Sequence, residues 1–125
     1  MSRCPHKLRT DLLLVVMLWL PVSTMTWAAD AVDYASQIKP LLKKHCFACH
    51  GALKQNAQLR LDAGQLLLKG GESGPAIVPG KPSESALLQR VTETDSDLKM
   101  PQQGAPLKPA EIALIKKFIR LKLPE

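Results

Sequence analysis

The run KKHCFACHGAL, residues 43–53, limits this chain more than any other feature. Cys46 and Cys49 are separated by two residues, and His50 follows the second at once. A C-x-x-C-H segment can serve as a dithiol, as part of a zinc site, as a short disulfide or as a covalent seat for haem. Each role needs different company in the rest of the chain.

The first stretch contributes no such company. MSRCPHKLRTD carries Arg3, Lys7 and Arg9, and LLLVVMLWL then runs apolar from Leu12 to Leu20 before Pro21 breaks it. PVSTMTWAADA follows, small and polar, with A-x-A formed by Ala29 and Ala31. Basic, apolar and small-residue regions in that order predict a secretory signal peptide over residues 1–31, cleaved after Ala31, with Ala28 as the nearby alternative. The apolar run falls short of the roughly 20 residues of a spanning helix, so a membrane role arises only if the segment is retained as an anchor. Cleavage removes Cys4, His6, Met1, Met17, Met25, Trp19 and Trp27. Cys46, Cys49, His45, His50 and Met100 are then the only residues of their types.

What remains, residues 32–125, is one domain with few aromatics (Tyr34, Phe47, Phe118). A domain of this size buries a low fraction of its surface and gains from a disulfide, a metal or a cofactor in its core. The whole chain carries a net charge of +6, which drops by about one on cleavage. Lys39, Lys43, Lys44, Lys54, Lys116, Lys117 and Arg120 supply most of the excess and read as a solvated surface. Export, and the lack of aromatics interleaved with these bases, argue against nucleic acid as a partner.

Apolar spacing predicts helices near the start, at SESALLQRV and at the end of the domain, with a long irregular Gly/Pro-rich middle. Tyr34, Ile38, Leu41 and Leu42 fall at helical intervals, with a kink or a fresh helix start at Pro40. LRLDAGQLLLKG predicts an extended piece and a helical turn around Gln65 to Leu68. GGESGPAIVPGKP predicts a series of turns. SESALLQRV predicts a short helix capped by Ser83 and burying Leu87, Leu88 and Val91. TETDSDLKMPQQGAPLK is a polar loop. PAEIALIKKFIRLK is the clearest helix, with Pro109 at its first position, Glu111 at its positive end and Ile112, Ile115, Phe118 and Ile119 as its apolar stripe.

The four roles of the motif make different demands on the rest of the chain. A thioredoxin-like dithiol follows a strand and opens a helix in an α/β domain, and no such alternation is present. Zinc requires four closed ligands, and only His45, Cys46, Cys49 and His50 remain, all on one short segment. A Cys46–Cys49 disulfide would close a strained loop that stabilises little. Covalent haem fits every residue: the thiols stand about one helical turn apart to form two thioethers, and the adjacent imidazole of His50 is aimed at the iron.

Opposite His50 the iron needs a second ligand or an open position. His45 lies on the same segment and cannot cross the haem plane. Met100, between Lys99 and Pro101 in a polar loop, is a poor core filler and the favoured ligand, and Met/His ligation raises a haem potential. The second ring nitrogen of His50 needs a hydrogen-bond acceptor; SGPAIVPG offers the carbonyls of Pro75 and Pro79 in a tight turn, with Pro75 favoured.

IKPLLKKHCFACHG, LRLD, GGESGPAIVPGKPSESALL and KMPQQGAPLKPAEIALIKKFI together resemble the planctomycete-type cytochrome c domain, within the class I cytochrome c fold. The resemblance implies a small all-α domain around one haem c, attached through Cys46 and Cys49. It implies His50 and Met100 as axial ligands, and N- and C-terminal helices packed together. Phe118 departs from the family, which commonly has tryptophan there, predicting weaker packing rather than altered chemistry. Lys108 replaces the usual polar cap and predicts fraying at the start of the last helix. The implied role is electron transfer between redox proteins in the periplasm, or on the outer face of the inner membrane if the signal is uncleaved. The carrier role is favoured over that of an enzyme. The alternative is a haem enzyme or gas-binding sensor with a displaceable distal ligand, but no group suited to peroxide chemistry accompanies the motif.

Overall fold

The computed structural model describes residues 31–121 of the chain. All of the expected signal segment except Ala31 lies outside these residues. Four α-helices follow in order: α1 (Lys39–His45), α2 (Gly64–Lys69), α3 (Ala86–Thr92) and α4 (Pro109–Arg120). A π-helical turn, Tyr34–Ile38, leads into α1, and 3₁₀ turns occupy Asn56–Gln58 and Pro82–Glu84. Among the described residues there is no strand, only the isolated bridges His50–Gln55 and Gly71–Gly74. The described residues are all-α, as the family resemblance implies. No described helix is long and apolar enough to cross a membrane.

Pro40 sets how the chain enters α1. It has no N–H to give the preceding turn, so a wider turn comes first, closed by the Lys39 N–H donating to the Tyr34 carbonyl. Asp33 caps that turn by accepting from the Ser36 N–H at 2.7 Å. Pro40 then sits in the first turn of α1, where its missing donor costs nothing. Lys43, Lys44 and His45 fill the last turn, at the negative end of the helix.

All four helices feed one core. Ile38, Leu41 and Leu42 come from the N-terminal segment, Leu67 from α2, Leu87, Leu88 and Val91 from α3, and Ile115, Phe118 and Ile119 from α4. The Gly/Pro-rich middle is pinned to this core by backbone bonds. The Leu67 carbonyl accepts from Ala76 (2.9 Å) and Ile77 (3.2 Å), and the Ala76 carbonyl from Leu87 (2.8 Å). The turn that leads into α1 meets α4 where the rings of Tyr34 and Phe118 stand 6.0 Å apart at 30°. Phe118 is buried in that contact.

Two capping expectations need correction. Ser85, not Ser83, holds the cap position of α3, because Pro82 first starts a separate 3₁₀ turn. Ser85 Oγ does not bond the helix. It is wholly buried, accepts from the Val78 N–H and donates to the Lys81 carbonyl, each at 2.9 Å, which staples the preceding loop. At α4, lysine at position 108 has no acceptor to offer, but Glu111 reaches back and accepts the Lys108 N–H at 2.8 Å. One half of a capping box therefore secures the helix start that the sequence marked for fraying.

Candidate cofactor site

The C-x-x-C-H segment is an extension of α1. Cys46 donates its N–H to the Leu42 carbonyl at 2.8 Å, and the Cys46 carbonyl accepts from Cys49 (3.1 Å) and His50 (2.8 Å). One tight turn thus carries both thiols and the imidazole. Cys46 and Cys49 are free, not joined as a disulfide. Burial, with the neighbouring Cys49 second, pushes the Cys46 thiol up to about 11. A nucleophilic dithiol needs the opposite shift, so redox-exchange chemistry is disfavoured here. No three His, Cys, Asp or Glu side chains converge into a metal chelate among the described residues.

His50 Nδ1 lies 3.1 Å from the Asn56 carbonyl oxygen. A carbonyl only accepts, so Nδ1 carries the proton and Nε2 keeps its lone pair for a metal. The carbonyl singled out from the sequence, that of Pro75, is not the partner; Pro75 is exposed and lies beside Gly70. The reason is local. After His50 the chain doubles back within six residues, with Gly51 donating to the Lys54 carbonyl (2.9 Å) and Asn56 to the Cys49 carbonyl (3.0 Å). Gly51 permits that reversal: a Cβ there would stand 2.5 Å from the Phe47 carbonyl oxygen. Its position directly after the histidine was the available signal for a short return.

The returning turn is costly. Ala57 (φ 54°) and Gln58 (φ 55°) are consecutive non-glycine residues in the left-handed region, at about 1–2 kcal/mol each. They persist because neighbours hold them. Glu72 donates its N–H to the Ala57 carbonyl at 2.9 Å, and Gln58 Nε2 donates to Glu72 Oε1 at 3.1 Å.

Met100 is half-buried, and its N–H donates to the Arg90 carbonyl at 2.9 Å, tying it to α3. Gln102 Nε2 secures the loop around it through the carbonyls of Ser96, Asp97 and Lys99. The residues just after Met100 then run beside the end of α1, where Lys44, His45, Pro101, Gln103, Gly104 and Ala105 line a cleft of about 180 Å³. Met100's own segment is thereby brought alongside the residue that precedes Cys46. His45 is engaged elsewhere: its side chain is 7% exposed and Nε2 lies 3.2 Å from Glu111 Oε1. Lys44 Nζ meets the same oxygen at 3.0 Å. Hydrogen bonds from the Lys108 N–H first, then Lys44 and His45, pull the Glu111 carboxyl down to about 2.

Two unpaired thiols one turn apart, next to an imidazole with a fixed tautomer and a free Nε2, form a donor set that suits a covalently tethered haem. The described residues thus form a small all-α domain that presents this donor set on one turn. A family model described as Planctomycete cytochrome C matches residues 46–104, and that segment belongs to this family. The match suggests a c-type cytochrome, a class whose cofactor in general is haem c. No curated protein and no solved structure matches the chain.

Proposed function

We propose that the protein is an exported, single-haem electron carrier. Cys46 and Cys49 would tether the haem as thioethers, and His50 and Met100 would hold its iron. Haem c supplies an iron that accepts and returns one electron. The observation that carries this reading is the His50 Nδ1–Asn56 bond, which leaves the Nε2 lone pair unshared on the same turn as two free thiols.

The chain's own residues then do three things. Asn56 orients the proximal imidazole and raises its basicity, the role of an outer-shell acceptor. The Gln102-tied loop holds Met100 in a defined backbone position, from which its thioether would serve the iron. Ile38, Leu41 and Leu42, just upstream of the motif, anchor the attachment segment to the core that α4 shares. Redox proteins are the partners this role requires. Spectra of the oxidised and reduced holoprotein, with and without carbon monoxide, test the proposal. A low-spin protein that resists carbon monoxide is the expected carrier, whereas a high-spin protein that binds it readily is a sensor or enzyme.

A further inference from the structure

The double glycine of GGESGP lies far from the cysteines in sequence, yet it touches the turn that aims His50. Gly71 donates to the Gly74 carbonyl (3.1 Å) and Gly74 returns the bond (3.0 Å), closing a four-residue turn with Glu72 at its second position. Ala57 and Leu59 rest directly on this turn. A Cβ at Gly71 would stand 2.5 Å from the Ala57 carbonyl oxygen and 3.0 Å from both Leu59 N and Leu59 Cβ. The φ of Gly71 is not in the left-handed region, so glycine is needed here for close approach and not for backbone freedom. The Glu72 N–H reaches the same Ala57 carbonyl at 2.9 Å. Ala57 follows Asn56, and the Asn56 carbonyl also accepts from Leu59 at 3.1 Å.

We propose that Gly71 and Glu72 are positioning residues for the proximal imidazole: they hold the strained Ala57–Gln58 backbone so that the Asn56 carbonyl stays on His50 Nδ1. The inference rests on the haem reading above and deepens it. A strained turn keeps its shape only while its surroundings over-determine it. Here the surroundings are one donated hydrogen bond, one side-chain bond from Gln58 to Glu72, and one glycine that lets two backbones meet. Loosening any of them lets the turn relax and the Asn56 carbonyl withdraw. The imidazole then loses basicity, and the ferric form loses part of its stabilisation.

Glu72→Pro is the sharpest test. Proline suits the second position of a turn, so the Gly71–Gly74 turn survives while the donor to Ala57 is replaced by a ring carbon. Gly71→Ala perturbs the same contact sterically, and Glu72→Gln keeps both the amide and a side-chain acceptor. Gly80→Ala is the structural control. Its φ of +79° strains any side chain, but its Cβ would meet nothing within 4 Å. Two readouts on the holoprotein are needed: the reduction potential and the solvent exchange of the His50 Nδ1 proton by NMR. Glu72→Pro and Gly71→Ala are expected to shift the one-electron equilibrium toward the reduced form by roughly tenfold, about 59 mV, and to speed the proton exchange severalfold. Glu72→Gln should behave as wild type. Gly80→Ala should lower the thermal midpoint while leaving both readouts in place. A Glu72→Pro holoprotein with wild-type potential and exchange overturns the inference alone, as does an equal shift in Gly80→Ala. Wild-type protein lacking attached haem overturns the haem reading instead.

Discussion

His45 Nε2 stands 3.2 Å from Glu111 Oε1, which joins the residue before Cys46 to the first turn of α4. The same carboxylate accepts the Lys108 N–H through its other oxygen, at 2.8 Å. One side chain therefore caps the last helix and ties it to the attachment segment. An ionised carboxylate only accepts, so His45 Nε2 presents a proton to it and is not free to bind iron.

The sign of the resulting pH dependence follows from the lowered carboxyl. Glu111 moves from an ordinary 4.5 down to about 2. Its contribution is therefore complete above 4.5 and is lost as the pH falls from there through about 2. Glu111→Gln should lower the thermal midpoint of the holoprotein by a few degrees at neutral pH, and the gap to wild type should narrow steadily in acid. Thermal melts across that window check it; a gap that is constant with pH contradicts it.

Core packing gives a second expectation. Ile115 is fully buried on α4 and belongs to the cluster that includes Ile38 and Leu42. Ile115→Ala should cost about 2–5 kcal/mol, through lost transfer energy and the cavity left behind. Denaturant unfolding of the holoprotein measures it, and a loss well under 1 kcal/mol would mean that α4 does not close this core.

Most of the fold was legible because it rests on apolar spacing. Ile115, Phe118 and Ile119, and likewise Leu87, Leu88 and Val91, are buried where their intervals place them. The misses share a different cause. Ser83 looked like a cap because serine precedes the apolar run, but Pro82 starts a 3₁₀ turn that moves the cap to Ser85 and turns its hydroxyl into the loop. Proline-rich turns offer unencumbered carbonyls, which is why the sequence points to Pro75 as the acceptor for His50. The true acceptor, Asn56, depends on two left-handed non-glycine residues, a backbone state that no side-chain pattern announces. Glu111 was legible as a residue favouring the positive helix end, but its reach to His45 and Lys44 is a tertiary contact between distant segments.

Export makes a third prediction, on residues outside the described structure. Protein recovered from its native compartment should begin at Ala29 or Val32 and show no tryptophan fluorescence, since Trp19 and Trp27 both precede these sites. N-terminal sequencing decides it. An intact Met1 or Ser2 terminus in the membrane fraction would replace the soluble carrier with an anchored one.

Met100 supports a fourth. If its thioether is the distal ligand, Met100→Ala should abolish a sulfur-to-iron charge-transfer band and let exogenous ligands bind. It should also lower the potential, because a thioether favours the ferrous state. The domain should remain folded, since the backbone bond from position 100 to the Arg90 carbonyl does not need the side chain. An unchanged spectrum in the variant removes Met100 from the site. His50→Ala, by contrast, should lose the proximal ligand and most of the folded protein.

The central claim is that Cys46 and Cys49 carry a haem through covalent bonds. Acid–organic extraction of the denatured wild-type protein tests it most directly. The expected result is haem that remains with the polypeptide, with no titratable thiol at either position, and attachment through a single tether in Cys46→Ala. Haem that passes freely into the organic phase, or two free thiols in the mature chain, would contradict it.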